Sequence, residues 1–213
     1  MKITLLHPSR GRAEKAKNTF DFWMKNRSGE ITIEHIISID NDDLQKEKYK
    51  ELFKTSHLIC NDNTCVVEAT NHAAKDSTGD ILIYLSDDFK CPENWDKLLS
   101  ASIPLFYPTL LKVDDCLQKF HIAVVTIPIM NKELYVKLGY FWHPGYKSMF
   151  VDEDLYWTCK NNAWMLEIPD LKFPHEHPAN GKAERDDTYI RSEKNWDQGK
   201  EFFAKRKSEN FPL

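Results

Sequence analysis

The chain has 213 residues, 29 Lys and Arg against 33 Asp and Glu, a net charge of −4 at pH 7, and 41% hydrophobic residues. This balance describes a globular protein and excludes a disordered tail, a repeat polymer, and a chain held to nucleic acid or anionic membrane by bulk charge. Five cysteines, an odd number without a CxxC pair, read as reduced thiols rather than a disulfide framework or a structural zinc site.

No apolar run approaches the roughly 20 residues of a membrane-spanning helix. The opening KITLL is too short for a signal-peptide core, so a soluble, cytoplasmic protein is expected. Residues 2–6 read as a strand. After PSRGR, Ala13, Ala16, Phe20, Trp23 and Met24 recur at helical spacing and predict a helix from Ala13 to Lys25. Ile31–Ile39 is a second strand, closed by DNDD, and a helix follows from Leu44 to Lys54. His57–Cys60 is a third strand, and Thr64–Ser77 a helix that stops before Gly79. Ile81–Leu85 then forms a fourth strand that does not alternate in polarity, as expected of a central parallel strand covered on both faces.

Strands separated by helices make βαβ units, so the first 90 residues predict an α/β fold, Rossmann-like, with a mainly parallel central sheet flanked by helices. The second half is less regular. It predicts a helix at Glu93–Ala101, a strand at Phe120–Met130, a short helix in NKELYVKLG, an aromatic loop YFWHPGYKSMF, a helix at DEDLYWTCKNN and a strand at AWMLEI. The last part, from about Asn180, is polar without a clear element. No linker separates the halves, which predicts one domain over 1–213, with a regular half over 1–90 and a variable half over 91–213.

In open α/β sheets, ligands bind beyond the carboxyl ends of the strands. Asp40, Asp62, Asp87 and Asp88 each follow such an end and are expected to line one crevice. The adjacent carboxylates Asp87 and Asp88 repel unless water solvates them or a cation lies between. Hard oxygen ligands of this kind suit Mg²⁺ or Mn²⁺ together with phosphate oxygens. A solvated turn that caps the next helix is the alternative. Arg10 and Arg12 are of a type to pair with phosphate.

The stretch NHAAKDSTGDILIYLSDDF resembles the central signature of GT-A glycosyltransferases, above all the large family-two group. In that signature Asn, Gly-Asp, a hydrophobic strand and a DxD-type acidic motif occur at these spacings. Asn71, Gly79, Asp80, Asp87 and Asp88 match it. Ala73 stands for a glycine, Ser77 for an alanine, and Ser86 for the motif's first acid. The resemblance implies Asp88 as metal ligand and Asp87 on ribose or phosphate. It also implies Pro8, Ser9, Arg10, Arg12, Asp40 and Asn71 around the nucleotide sugar. Downstream, NKELYVKLGYF and FVDEDLYW resemble the acceptor-side motif. They imply a carboxylate base at Asp154, with Asp152 as runner-up and Glu153 between them. His177 or His175 in FPHEHP is implied as a further metal ligand, and Trp142 and Tyr146 as an acceptor platform.

The activity implied is metal-dependent transfer of a sugar from a nucleotide-sugar donor, with UDP as carrier, to an acceptor hydroxyl with inversion. The acceptor is left open among a glycan, a small molecule and a modified DNA base. The short chain and its PSRGR opening look phage-like, which would place it in a host cytoplasm. From Ala179 onward, eight Lys and Arg face seven Asp and Glu, so no basic stripe singles out DNA. The two alternatives are a nucleotidyltransferase, against which the single Gly11 of HPSRGRAEK counts, and a non-catalytic binding module, with which Ser86 is compatible.

Overall fold

The computed structural model describes all residues, 1–213. Strands β1 (Lys2–Pro8), β2 (Thr32–Asp40), β3 (His57–Asn61) and β4 (Ile81–Tyr84) alternate with helices α1 (Ala13–Lys25), α2 (Lys46–Leu52) and α3 (Val66–Asp76). β1 lies between β2 and β4, β2 pairs with β3, and all these pairs are parallel. Both faces are covered: Ile3, Leu5, Leu6, Ile36, Ile37 and Ile81–Ile83 are fully buried. The unbroken apolar runs follow from that burial.

The second half adds α4 (Trp95–Ser102), β5 (Leu110–Asp114), β6 (Ile129–Asn131), α5 (Lys132–Leu138), α6 (Val151–Asn161) and β7 (Met165–Lys172). A 3₁₀ turn at Pro178–Asn180 precedes α7 (Asp187–Glu193) and α8 (Trp196–Ser208). One seven-stranded sheet runs through both halves in the order β3-β2-β1-β4-β6-β5-β7. β6 alone runs against the others. Pro169 is tolerated inside β7 because β7 is an edge strand.

Three expectations for this half need correction. The predicted strand Phe120–Met130 is a loop up to Pro128, and only Ile129 and Met130 of it enter the ladder. The buried Lys112 Nζ takes the carbonyls of Phe120 and Ile122, each at 2.6 Å, so the apolar run is folded back instead of paired. β5 has no counterpart in the prediction, and neither has α7 or α8. α8 buries only Gly199 and Arg206 of its own residues, so its sequence shows little apolar periodicity.

Two tryptophans set the turn after β4. Trp23 Nε1 donates to the Phe89 carbonyl at 3.0 Å, and Trp95 Nε1 donates to the Trp23 carbonyl at 2.8 Å. At the other end of β4, Gly79 packs against β1. A Cβ there would lie 2.4 Å from Thr4 Oγ1 and 2.8 Å from Thr4 N, closer than any side chain allows. Gly79→Ala is therefore expected to lower the free energy of unfolding by about 1–3 kcal/mol, read by urea denaturation.

Candidate active site

A cleft of about 1040 Å³ opens beyond the C-terminal ends of β1, β2 and β4. Pro8–Arg12, Asp40 and Ser86–Phe89 form one wall, and residues 147–152, His175, His177 and the α7 region form the other. Of the residues predicted for the site, Pro8, Ser9, Arg10, Arg12, Asp40, Asp87, Asp88, Asp152, His175, His177 and Trp142 line this cleft. Asn71, Tyr146, Glu153 and Asp154 do not.

Asp87 and Asp88 follow β4 and turn to different partners. The buried Asp87 is held from below. His7 Nε2 lies 2.8 Å from Oδ1, Ser9 Oγ donates to Oδ2 at 2.9 Å, and Thr19 Oγ1 donates to the main-chain carbonyl at 2.6 Å. Both of its carboxylate oxygens are thus engaged within the protein.

Asp88 is also buried, but its partners come from above. Tyr189 OH donates to Oδ2 at 2.5 Å. His175 Nε2 lies 3.4 Å from Oδ1, an ion-pair distance without a hydrogen bond. Oδ1 is the one buried carboxylate oxygen without a hydrogen-bond partner. Burial would raise this carboxyl, but His175 and Tyr189 more than reverse that and hold it well below its ordinary range. Asp88 is therefore a buried anion in the wall of the cleft, with only the His175 imidazole beside its Oδ1.

No three His, Cys, Asp or Glu side chains are assembled as a ready cage for a metal ion. The donor set nevertheless fits a hard divalent cation as an open site, since Mg²⁺ and Mn²⁺ commonly take one or two protein ligands and fill the rest with water and phosphate oxygens. Asp88 Oδ1 and the neighbouring imidazole of His175 are the groups that fit. His177 does not fit as a third ligand. Its Nδ1 accepts from Ala179 N at 3.1 Å, which places the proton of the neutral ring on Nε2. Burial and then His175 lower its pKa, so the ring stays neutral. It faces the cleft as a donor.

Around the β1 and β2 tips the charges are already paired. Arg10 bonds Asp40 and Asp42, and Asp40 also accepts from Asn63 Nδ2 at 3.0 Å. Arg12 forms a two-pronged pair with Asp186, with Nε to Oδ2 at 2.7 Å, and its guanidinium lies over the Tyr189 ring. Arg191 of α7 reaches Asp40 at 3.6 Å and the Thr64 carbonyl at 3.2 Å. Asn71 is a staple outside the cleft: its amide takes the main-chain N–H groups of Phe141 and Trp142 and returns a bond to the Trp142 carbonyl. It fixes the aromatic loop, so the role expected for it on the nucleotide is corrected.

The acids of α6 divide by helical position. Asp154 points into the core, where Arg206 binds it from Nε at 2.9 Å and Nη2 at 3.0 Å, with Tyr146 OH at 2.9 Å. It is an anchor for α8 and is not available as a base. Tyr146 is buried in that same network and is not an acceptor platform. Asp152 lines the cleft, and burial followed by the neighbouring Glu153 pushes its carboxyl up to about 6. Glu153 lies outside the lining.

Sequence reasoning missed His7, Tyr189, Asp186, Arg191 and Trp196. Trp196 is half-exposed at the mouth of the cleft, edge-on to Phe150 with ring centroids 4.9 Å apart. The α7 residues lie in a polar stretch without periodicity, and nothing in their spacing marks them. His7 sits in a strand whose neighbours are all core, so it reads as a packed histidine.

No family model and no curated protein matches the chain. Among solved structures, S. aureus TarS (residues 1–349) in complex with UDP matches with a TM-score of 0.62 at 13% identity, over 81% of this chain and 59% of that one. The mannosyltransferase PcManGT from Pyrobaculum calidifontis, in complex with GDP-Man and Mn²⁺, gives 0.63 at 16%, over 84% and 58%. Glucosyl-3-phosphoglycerate synthase from Mycobacterium tuberculosis, with Mn²⁺, UDP and phosphoglyceric acid, gives 0.58 at 11%, over 83% and 71%. At such identities the likeness is one of fold, and the fold is GT-A. The chain spans a little under three-fifths of the first two structures.

The Asp154–Arg206 pair yields a direct test of its structural assignment. Arg206→Met leaves a buried carboxylate without its counter-charge and is expected to cost about 3–5 kcal/mol of stability. Chemical denaturation measures it.

Proposed function

We propose that the protein transfers a sugar from a nucleoside-diphosphate sugar, with UDP as carrier, to an acceptor hydroxyl by direct displacement with inversion. The observation that carries this reading is the unpartnered Asp88 Oδ1 beside His175, on the floor of a GT-A cleft that also contains Asp152. Solved structures of the same fold that hold Mn²⁺ with GDP-Man or UDP support it.

Asp88 and His175 would hold Mg²⁺ or Mn²⁺, which when bound supplies positive charge to the departing diphosphate. The Nε2–H of His177 donates to a diphosphate oxygen. Asp152 accepts the proton of the acceptor hydroxyl as the new bond to the anomeric carbon forms and the bond to the diphosphate oxygen breaks. A carboxylate with its pKa at about 6 suits this role, being largely ionised at neutral pH and more basic than an exposed aspartate. Trp196 offers an apolar face on the acceptor side, whereas Trp142, expected as a platform, is buried in the core.

Asp88→Ala is expected to abolish metal-dependent sugar-nucleotide turnover and the thermal stabilisation by Mn²⁺ with UDP. Full retention of both refutes the assignment. Asp152→Asn is expected to lower kcat by about 10²–10⁴-fold while UDP binding persists. In the wild type, kcat/KM should fall as pH drops below about 6, where Asp152 becomes protonated. The sign for stability is opposite. A carboxyl whose folded pKa of about 6 exceeds its ordinary 3.8 favours the fold when protonated, and that contribution is lost as pH rises through the folded value. Asp152→Asn should thus be the more stable protein at pH 8, by on the order of 1–3 kcal/mol.

A further inference from the structure

Beneath the cleft runs a line of buried polar groups that no part of the proposed reaction uses. From Asp87 Oδ1 it passes to His7 Nε2 at 2.8 Å, from His7 Nδ1 to His35 Nε2 at 3.0 Å, and from His35 Nδ1 to Ser56 Oγ at 2.6 Å. His7 lies on β1, His35 on β2, and Ser56 in the turn before β3, where the line reaches the half-buried edge of the sheet. A second branch runs from Asp87 Oδ2 to Ser9 Oγ and on to Tyr49 OH at 2.6 Å. The Phe20 ring stacks on His35 with centroids 4.0 Å apart, and Phe53 stands against both imidazoles. Neither ring has room to turn.

We propose that His7 is a positioning residue for the cation- and diphosphate-binding pole of the cleft. By donating Nε2–H to Asp87, and by being held in turn by His35 and Ser56, it keeps the Asp87 carboxylate pointed down, and so leaves Asp88 to face the ligand alone. The inference rests on the reading of the cleft as a donor site.

The polarity of the line follows from its ends. A carboxylate can only accept, so His7 Nε2 carries a proton. Burial, then His7 and Lys17, push the His35 imidazole well below its ordinary range, so His35 carries no net charge and the line brings no second cation beneath the site. Two adjacent acids are thereby given separate tasks. Were Asp87 released, its carboxylate would no longer be fixed at the tip of β1, and repulsion between the two adjacent anions would shift the position in which Asp88 is held. Partners directly behind a metal ligand typically set about 10–100-fold of metal affinity, and His7 acts one residue away through Asp87, so the lower end of about 10-fold is expected.

The test compares the full-length wild type, His7→Leu and His7→Gln by calorimetric titration with Mn²⁺ and UDP, with thermal melts as a control for folding. The glutamine amide can place an N–H near the position of the ring Nε2. His7→Leu is expected to fold and to bind about 10-fold more weakly, and His7→Gln to recover most of the loss. A merely structural role would make both losses follow the melting temperature. Wild-type binding by a folded His7→Leu, or equal losses in the two variants, overturns the proposal. Should His7→Leu not fold, ¹⁵N-edited NMR of the wild type decides. A hydrogen-bonded proton on His7 Nε2 that shifts when Mg²⁺ and UDP saturate the cleft supports the proposal. The absence of that proton, or its indifference to ligand, overturns it. If the wild type itself binds no Mn²⁺ with UDP, the functional reading falls and takes this inference with it, an outcome distinct from wild-type binding by His7→Leu.

Discussion

The arrangement of the cleft depends on one buried carboxylate. Asp87 accepts from His7 and Ser9, which belong to the end of β1, and its main-chain carbonyl accepts from Thr19 of α1. These bonds tie the tip of β4 to the neighbouring strand and to the helix that covers it. A buried anion without partners would be expelled or protonated. With several donors around it, the anion instead becomes the point on which three elements converge. The adjacent Asp88 can then face the other way, so the repulsion inherent in two neighbouring carboxylates is relieved by direction, with different partners on each side.

The remaining charges of the cleft are matched from the C-terminal segment. Asp186 pairs with Arg12, Tyr189 with Asp88, and Arg191 with Asp40. A phenol is a weak partner for a carboxylate, yet Tyr189 is firmly a donor. Burial and then the Asp88 charge both push its own pKa up. Of these pairs only that of Asp88 is desolvated, and there removing the donor would cost far more than the bond contributes. Asp186 and Arg191 stay more than two-fifths exposed, and their pairs are screened by solvent. Where the matching stops is informative. Asp88 Oδ1 and His175 Nδ1 are left without hydrogen-bond partners, with His175 Nε2 3.4 Å from Asp88 Oδ1, and both residues line the cleft.

The first half, residues 1–90, was legible in the sequence because parallel strands buried on both faces leave unbroken apolar runs, and the helices between them repeat at their own period. The predicted helix Ala13–Lys25 matches α1 end to end. The second half, residues 91–213, was much less so. Phe120–Pro128 is apolar enough for a strand, but the pairing partner for its carbonyls is a lysine amine, and no local pattern announces that. α8 owes its place to Gly199, where a Cβ would lie 2.5 Å from the Met149 carbonyl, and to Arg206. These are long-range contacts, and the apolar residues that join them, Phe202 and Phe203, pack only partly buried against the core. The motif placed Asp88 beyond the end of β4, and there it lines the cleft. His7 was not, because a histidine inside an apolar strand shows its role only when the neighbouring strands bring His35 and Asp87 to its two nitrogens.

The choice between Asp152 and Asp154 shows the same physics at a finer scale. Residues two apart on a helix lie on nearly opposite sides, so VDED cannot present both aspartates to one cleft. The inward Asp154 had to be neutralised, and Arg206 with Tyr146 does so completely. The outward Asp152 has no cation beside it, and burial with the nearby Glu153 raises its proton affinity. In both acidic runs, then, one aspartate has a full set of protein donors and holds elements together, while its neighbour has an incomplete set and faces the cleft. A motif read along the chain locates such a run. Only the direction imposed by the turn or the helix separates the anchor from the group left free to react.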